Sequence, residues 1–290
     1  MPKEKVILFD TTLRDGQQTQ GVDFSVQDKV NIANALDNIG IDYIEGGWPG
    51  ANPTDTKFFE NKNNFSNAKF TAFGMTKRSG RSADNDPQLR SLIDAHSDSV
   101  CLVAKTWDFH VDLALGISLE ENVEAIKDSV LSVKASGKEA LIDCEHFFDG
   151  YKSNSEFSFK CIEAALESGA EWVVLCDTNG GTLPNEIFNI VNEITKKFPG
   201  DKIGIHCHND TENAVANSLA AIDAGARHLQ GTINGLGERC GNANLISIIP
   251  TLLLKKEYSE KYEISIDASK LSELKNLSRL IDDILNKHPN

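Results

Sequence analysis

Eight short runs of β-forming residues, each followed by a segment with helical periodicity, constrain this chain more than any other feature. They begin at Val6 (VILFD), Tyr43 (YIEGG), Phe70 (FTAFG), Ser99 (SVCLVAK), Ala140 (ALIDCEHF), Trp172 (WVVLCDT), Ile203 (IGIHCHND) and His228 (HLQGTING). The segments between them carry helix start signals: Ser25 stands before VQDKVNIANAL, and Ser118 with Glu121 three residues on has the form of a capping box. Several end in glycine, at Gly40, Gly137, Gly169 and Gly225, where a left-handed cap returns the chain to the next strand. Eight strand–helix units in about 250 residues predict a closed (β/α)₈ TIM barrel of the α/β class, spanning residues 1–255. An open doubly wound sheet also alternates strand and helix, and periodicity alone does not separate the two.

After Leu254 the pattern changes to the charged stretch KKEYSEKYEIS, and Leu271, Leu274, Leu277, Ile281, Ile284 and Leu285 then form an apolar stripe at helical spacing. Residues 256–290 read as a linker and one helix outside the barrel, the start of a truncated C-terminal subdomain, with the stripe as packing surface. A formal net charge of −14 argues against nucleic acid or an anionic membrane surface as the main partner, because both would repel the chain. No apolar run approaches the roughly 20 residues that span a bilayer, and MPKEKVILFD enters a strand-like run without a signal-peptide pattern, so a cytoplasmic location is expected. The six cysteines are scattered without a CxxC pair, which reads as reduced, mostly buried thiols.

A parallel barrel places its active site at the C-terminal ends of the strands, and here those ends are polar: DTTLRDGQQ, DCEHF, CDTNGG, HCHND and TINGLGERCGNAN. Residues two apart on a strand face the same side, so His206 and His208 both face the barrel mouth while Cys207 points away. Such a pair is either a metal site or a solvated, hydrogen-bonded pair. Asp15 and Asn242 can add oxygen donors, giving a mixed set that suits Mn²⁺, Zn²⁺, Co²⁺ or Mg²⁺ and leaves a net charge of about +1 for an anionic 2-oxo acid. Arg14 either stabilises an oxygen that gains negative charge or forms a salt bridge. Asp143 and Glu145 can both face the mouth, and Glu145 there is a general base or a support for another group. Thr178 offers a hydroxyl to a substrate carboxylate or caps the next helix. The glycines of NGLGERCG lack dinucleotide-fingerprint spacing and read as turns bringing Asn242 close to the metal. His96, His110, His228 and His288 read as ordinary surface or loop residues, and His146 as facing away from the side that Glu145 faces.

With these residues in place, DTTLRDGQQ with Lys29 downstream, and HCHNDTENAVANSLAAIDAGA, are similar to the two motifs of the DRE-TIM metallolyase superfamily. That superfamily includes isopropylmalate, homocitrate and citramalate synthases and hydroxymethylglutaryl-CoA lyase. YIEGGWPGANPTD, DCEHFFDGYK and QGTINGLGERCGNANL most closely resemble the citramalate synthase branch. The resemblance implies Asp15, His206, His208 and Asn242 as ligands of a divalent metal cation, with Arg14 polarising a keto oxygen and Gln18 beside it. Thr178 would hold the pyruvate carboxylate, Asp143 would join the substrate-binding residues, and Glu145 would take part in removing the methyl proton of the co-substrate acetyl-CoA.

The implied reaction is a Claisen-type condensation of acetyl-CoA with pyruvate to citramalate, followed by thioester hydrolysis, in a homodimeric enzyme feeding isoleucine biosynthesis. Alternatives are an isopropylmalate or homocitrate synthase, a carbon–carbon lyase, and a non-catalytic 2-oxo acid sensor. One position departs from the pattern: Glu212 stands where many relatives have a small residue, usually glycine, and either caps or extends the next helix or narrows the site. The relatives continue into a C-terminal domain, with a histidine that reaches the partner's active site. The expectation is therefore a catalytic-domain fragment that binds metal and pyruvate, turns over poorly and lacks feedback inhibition.

Overall fold

The computed structural model describes residues 2–61 and 63–287. A short β1 (Glu4–Lys5) precedes the eight runs, which become β2 (Ile7–Asp10), β3 (Tyr43–Gly47), β4 (Lys69–Met75), β5 (Ser99–Lys105), β6 (Glu139–Glu145), β7 (Trp172–Asp177), β8 (Ile203–Cys207) and β9 (His228–Gly231). Each pairs in parallel with the next, and β9 returns to β2 with Ile7 opposite His228 and Asp10 opposite Gly231. That last pairing closes the barrel and removes the open-sheet alternative.

The outer layer holds α1 (Val26–Ile39), α2 (Pro53–Glu60), α3 (Pro87–Asp94), the single turn α4 (Asp108–His110), α5 (Leu119–Ala135), α6 (Phe147–Glu167), α7 (Pro184–Lys197), α8 (Ala214–Asp223) and α9 (Leu245–Leu254). Their ends follow local chemistry. Ser25 and Asp28 cap α1 reciprocally, side chain to backbone in both directions. Ser118 accepts from the Glu121 N–H at 3.1 Å, but the Glu121 carboxylate turns to the Ser79 hydroxyl, so this box is only half formed. Gly40, Gly137, Gly169 and Gly225 all have positive φ, between 83° and 109°, as their place at helix ends requires.

Apolar side chains between strands and helices, among them Ile32, Leu36, Ile126, Ile162 and Val191, form the main core, while Phe9, Tyr43, Leu141, Trp172 and Val174 fill the barrel interior. His228 belongs to that interior and is not a surface or loop residue as its sequence context suggests. It is fully buried, stacked on Trp172 with ring centroids 5.0 Å apart, and edge-on to Phe9 and Tyr43. The reason is register: His228 opens the strand that closes the barrel, so its inward side chain meets three other inward rings. His110 also departs from expectation, packing on Trp107 and His146 beside the barrel mouth. His96 is exposed, and His288 lies outside the described residues. Cys101, Cys144, Cys161, Cys176 and Cys207 are buried and Cys240 is exposed; burial raises all five buried thiols, which keeps them neutral.

Beyond α9 come α10 (Lys256–Ser259), β10 (Tyr262–Glu263) and α11 (Leu271–Ile284). β10 pairs in parallel with β1, a two-stranded ribbon outside the barrel. Leu274, Leu277 and Ile281 of α11 are buried, and the helix packs on α1 and α9. Its apolar stripe therefore faces the barrel's own helices. Among the described residues, no helix is long and apolar enough to cross a membrane.

Candidate active site

Three buried side chains meet at the C-terminal end of the barrel. Asp15, in the turn after β2, places Oδ2 3.4 Å from His206 Nε2 and 3.5 Å from His208 Nε2. Strand alternation at the end of β8 puts both imidazoles on this side. Asn242 joins them because His208 and Asn242 form an isolated backbone bridge. That bridge depends on glycine: a Cβ at Gly237 would stand 2.1 Å from Asn242 Nδ2, and one at Gly241 would stand 2.0 Å from the Gly235 carbonyl.

The donor set fits a divalent cation. Among the described residues, Asp15 Oδ1 and Asn242 Oδ1 are buried without a hydrogen-bond partner, although buried oxygens left unpaired are costly. Asn242 Nδ2 donates to the Leu236 carbonyl at 3.0 Å, which identifies Oδ1 as the unused acceptor. The Gln230 Oε1 atom, 2.8 Å from His206 Nδ1, accepts the proton of that nitrogen and leaves Nε2 to face Asp15. His208 differs. Its Nδ1 lies 3.0 Å from Arg239 Nη2, and a guanidinium only donates, so here Nε2 carries the proton. Holding a cation through His208 Nε2 requires Arg239 to leave Nδ1 for Asp210 and the Thr178 carbonyl, both of which it already reaches.

Burial alone would raise Asp15, but the Arg14 guanidinium and the two imidazoles hold its carboxyl well below the usual range. Burial opposes charging His206, yet the hydrogen bond and charge of Asp15 outweigh it and raise the imidazole. Arg14 lies behind the cluster with Nε 2.7 Å from Glu45 Oε2, Nη1 3.1 Å from Asp15 Oδ2, and its guanidinium 3.9 Å over the Phe73 ring. Both carboxylates beneath it are pushed up by burial: Glu45, where Arg14 opposes the shift, and Asp143, where His206 and Arg14 oppose it. Asp143 accepts from Gln230 Nε2 at 2.9 Å, so Gln230 links it to His206.

These groups open into a cavity of about 560 Å³ whose wall includes Arg14, Gln18, Asp143, Glu145, Thr178 and His208. Glu145 is paired with Lys105 across the β5–β6 register. Thr178 does not cap the next helix, α7, whose N-cap is Leu183; its Oγ1 accepts from the His146 N–H at 2.9 Å, which leaves its O–H to donate. His146 lies just past β6 in a left-handed conformation, held by Asp149. Glu212 is exposed at φ 60°, a conformation glycine adopts without strain, which accounts for a glycine preference there. It neither lines this cavity nor caps α8, whose N-cap is Asn213.

Sequence reasoning missed Glu45, Lys105, Gln230 and Arg239. The first three share one legible signal, a polar residue in the C-terminal part of an inward-facing strand pattern; Arg239 had none.

The HMGL-like family matches residues 5–278. The chain belongs to the HMGL-like family. Within its wider relatives, an (R)-citramalate synthase of Aquifex aeolicus is 53% identical over 285 residues, 98% of this chain and 53% of that protein. A 2-isopropylmalate synthase of Sulfurisphaera tokodaii is 33% identical over 281 residues, 97% of this chain and 69% of that protein. The chain spans about half the length of the curated (R)-citramalate synthases it matches. The solved structure of an HMG-CoA lyase from Bacillus subtilis superposes with a TM-score of 0.81 at 20% identity, covering 99% of this chain and 96% of that one, so the barrel fold is shared.

Proposed function

We propose that this HMGL-like barrel, residues 1–255, is the catalytic domain of a citramalate synthase that condenses acetyl-CoA with pyruvate, and that residues 256–290 begin a further subdomain. The observation that carries the reading is the convergence of Asp15, His206, His208 and Asn242, two of them with unpaired buried oxygens, beside Arg14. The pyruvate branch is favoured because the (R)-citramalate synthases are 44–53% identical to the chain, against 33–35% for the 2-isopropylmalate synthases.

A divalent cation (Mn²⁺, Zn²⁺, Co²⁺ or Mg²⁺) on these four residues would act as a Lewis acid toward the keto and carboxylate oxygens of a 2-oxo acid. The protein's own groups do the rest. Arg14 has Nε and Nη1 tied to Glu45 and Asp15, which directs its remaining edge to an oxygen that gains charge as the carbon–carbon bond forms. Thr178 donates its free O–H to the substrate carboxylate, and Gln18 closes the same side. Burial pushes the Asp143 carboxyl up, against His206 and Arg14, which lessens its repulsion of an anion. Glu145 takes the acetyl methyl proton, and the adjacent Lys105 ammonium fixes the carboxylate toward the cavity.

The working assembly in this proposal is a cytoplasmic homodimer. A panel of 2-oxo acids assayed for CoA release from acetyl-CoA with added metal tests the reading. Pyruvate-dependent release is expected; release with 2-oxoisovalerate and none with pyruvate would transfer the chain to the isopropylmalate branch.

A further inference from the structure

The candidate ligand Asn242 lies at the end of a loop that starts at Ile233, and that loop is held by a helix with no residue in the cavity. Asn234 adopts the left-handed conformation, with φ 60°. Its side chain is clasped by α11: Nδ2 donates to the Ser278 carbonyl at 3.1 Å and to Asp282 Oδ1 at 3.0 Å, and the Ser278 hydroxyl donates to Oδ1 at 2.6 Å. All the donor and acceptor capacity used by this amide goes to one helix.

The turn so anchored controls Asn242 through two contacts. The Asn242 N–H donates to the Gly235 carbonyl at 3.1 Å, one residue after Asn234. Its side-chain Nδ2 donates to the Leu236 carbonyl, which also accepts from the Thr232 hydroxyl at 2.7 Å. An amide whose nitrogen is fixed has its oxygen fixed on the opposite side, and that oxygen is the unpaired buried Oδ1. Glycines at 235, 237 and 241 leave the loop backbone without local stiffness, so the position of Oδ1 is set by what grips the loop from outside. One grip is Thr19, whose hydroxyl donates to the Gly237 carbonyl and accepts from the Gly237 N–H. The other is α11.

We propose that Asn234, Ser278 and Asp282 form a clip through which α11 positions Asn242 for the cation, making α11 a structural part of the metal site. The inference rests on the metal-site reading of Proposed function. It gives the apolar stripe of α11 a purpose beyond packing: Leu274, Leu277 and Ile281 seat the helix on α1 and α9 so that its polar edge meets Asn234. Asn234, Ser278 and Asp282 are positioning residues.

The test is calorimetric titration of the full chain with Mn²⁺, together with amide hydrogen exchange of residues 233–242 in the metal-free protein. Two independent variants remove the clip: Asn234→Gly, which tolerates the positive φ, and the pair Ser278→Ala with Asp282→Ala, both distant from the cavity. Each is expected to weaken Mn²⁺ binding about tenfold and to raise exchange across the loop, as loss of a group that orients a ligand does. Ser278→Thr, which keeps the hydroxyl, should behave as the unmodified protein. Parent-like exchange, or raised exchange with parent-like Mn²⁺ affinity, overturns the clip while leaving the metal site standing. Failure of the unmodified protein to bind Mn²⁺ or, titrated in turn, Zn²⁺, Co²⁺ and Mg²⁺ overturns the metal-site reading and the clip together.

Discussion

Replacing His228 with leucine tests how the barrel interior couples to pH. The imidazole is fully buried among Phe9, Tyr43 and Trp172, neither ring nitrogen has a hydrogen-bond partner among the described residues, and burial, helped by the charge of His206, lowers its pKa from 6.5 to about 3. The unfolded chain therefore binds this proton before the folded one does. Stability from this source is complete above about pH 6.5 and is lost as pH falls toward 3. With those two values, linkage costs the folded state about 0.8 kcal/mol at pH 6 and about 2 kcal/mol at pH 5, relative to pH 7.5.

Leucine has no proton to take up, so the variant lacks this slope. Its pH-independent offset combines the removal of an unpaired buried N–H, worth about 1–3 kcal/mol, with the loss of ring contacts worth about 0.5–1.5 kcal/mol, and does not affect the argument. The assay is guanidinium unfolding of both proteins at pH 7.5, 6 and 5, reading the difference in free energy. Contributions from Asp15 and His206, present in both, cancel. The difference should move about 2 kcal/mol in favour of the variant between pH 7.5 and 5. A difference that stays constant with pH would refute the account and would mean that His228 finds a partner, such as an internal water, for its charged form.

Three further outcomes are expected. His208→Ala should lower metal affinity about tenfold or more, and unchanged metal content in the purified variant would count against the site. Arg14→Lys should keep the fold and charge but lower turnover on the order of 100-fold, because a point charge cannot hold Glu45 and Asp15 and still reach the substrate; steady-state kinetics with near-normal turnover would reduce Arg14 to an ion pair. Lys29→Met should destabilise the chain by about 3–5 kcal/mol in denaturant unfolding, since the buried Lys29 ammonium lies 2.8 Å and 2.9 Å from the Leu13 and Gly46 carbonyls and is paired with Asp55. A loss under about 1 kcal/mol would show that Asp55 is neutralised by other means.

The sequence by itself determined the eight strand–helix units, because β-branched runs bounded by serine caps and glycine ends are local signals that each segment carries alone. It also determined that His206 and His208 face one side, since strand alternation needs no neighbour. It did not determine closure: the pairing of Ile7 with His228 joins the first and last barrel strands, about 220 residues apart in sequence, and no local period encodes it. The same physics separates the site residues that were legible from those that were not. Asp15 and His206 were legible as candidate donors from their residue types near strand ends, and Asn242 as an amide that glycine turns could bring close. Gln230 matters only because register sets it opposite His206, Lys105 because it stands opposite Glu145, and His228 because three inward rings surround it. Asn234 owes its part to α11, which returns from more than 40 residues along the chain to grip it. Local propensity acts within a few residues, whereas register, burial and distant hydrogen bonds exist only once the chain has closed on itself, and tertiary structure alone decided those.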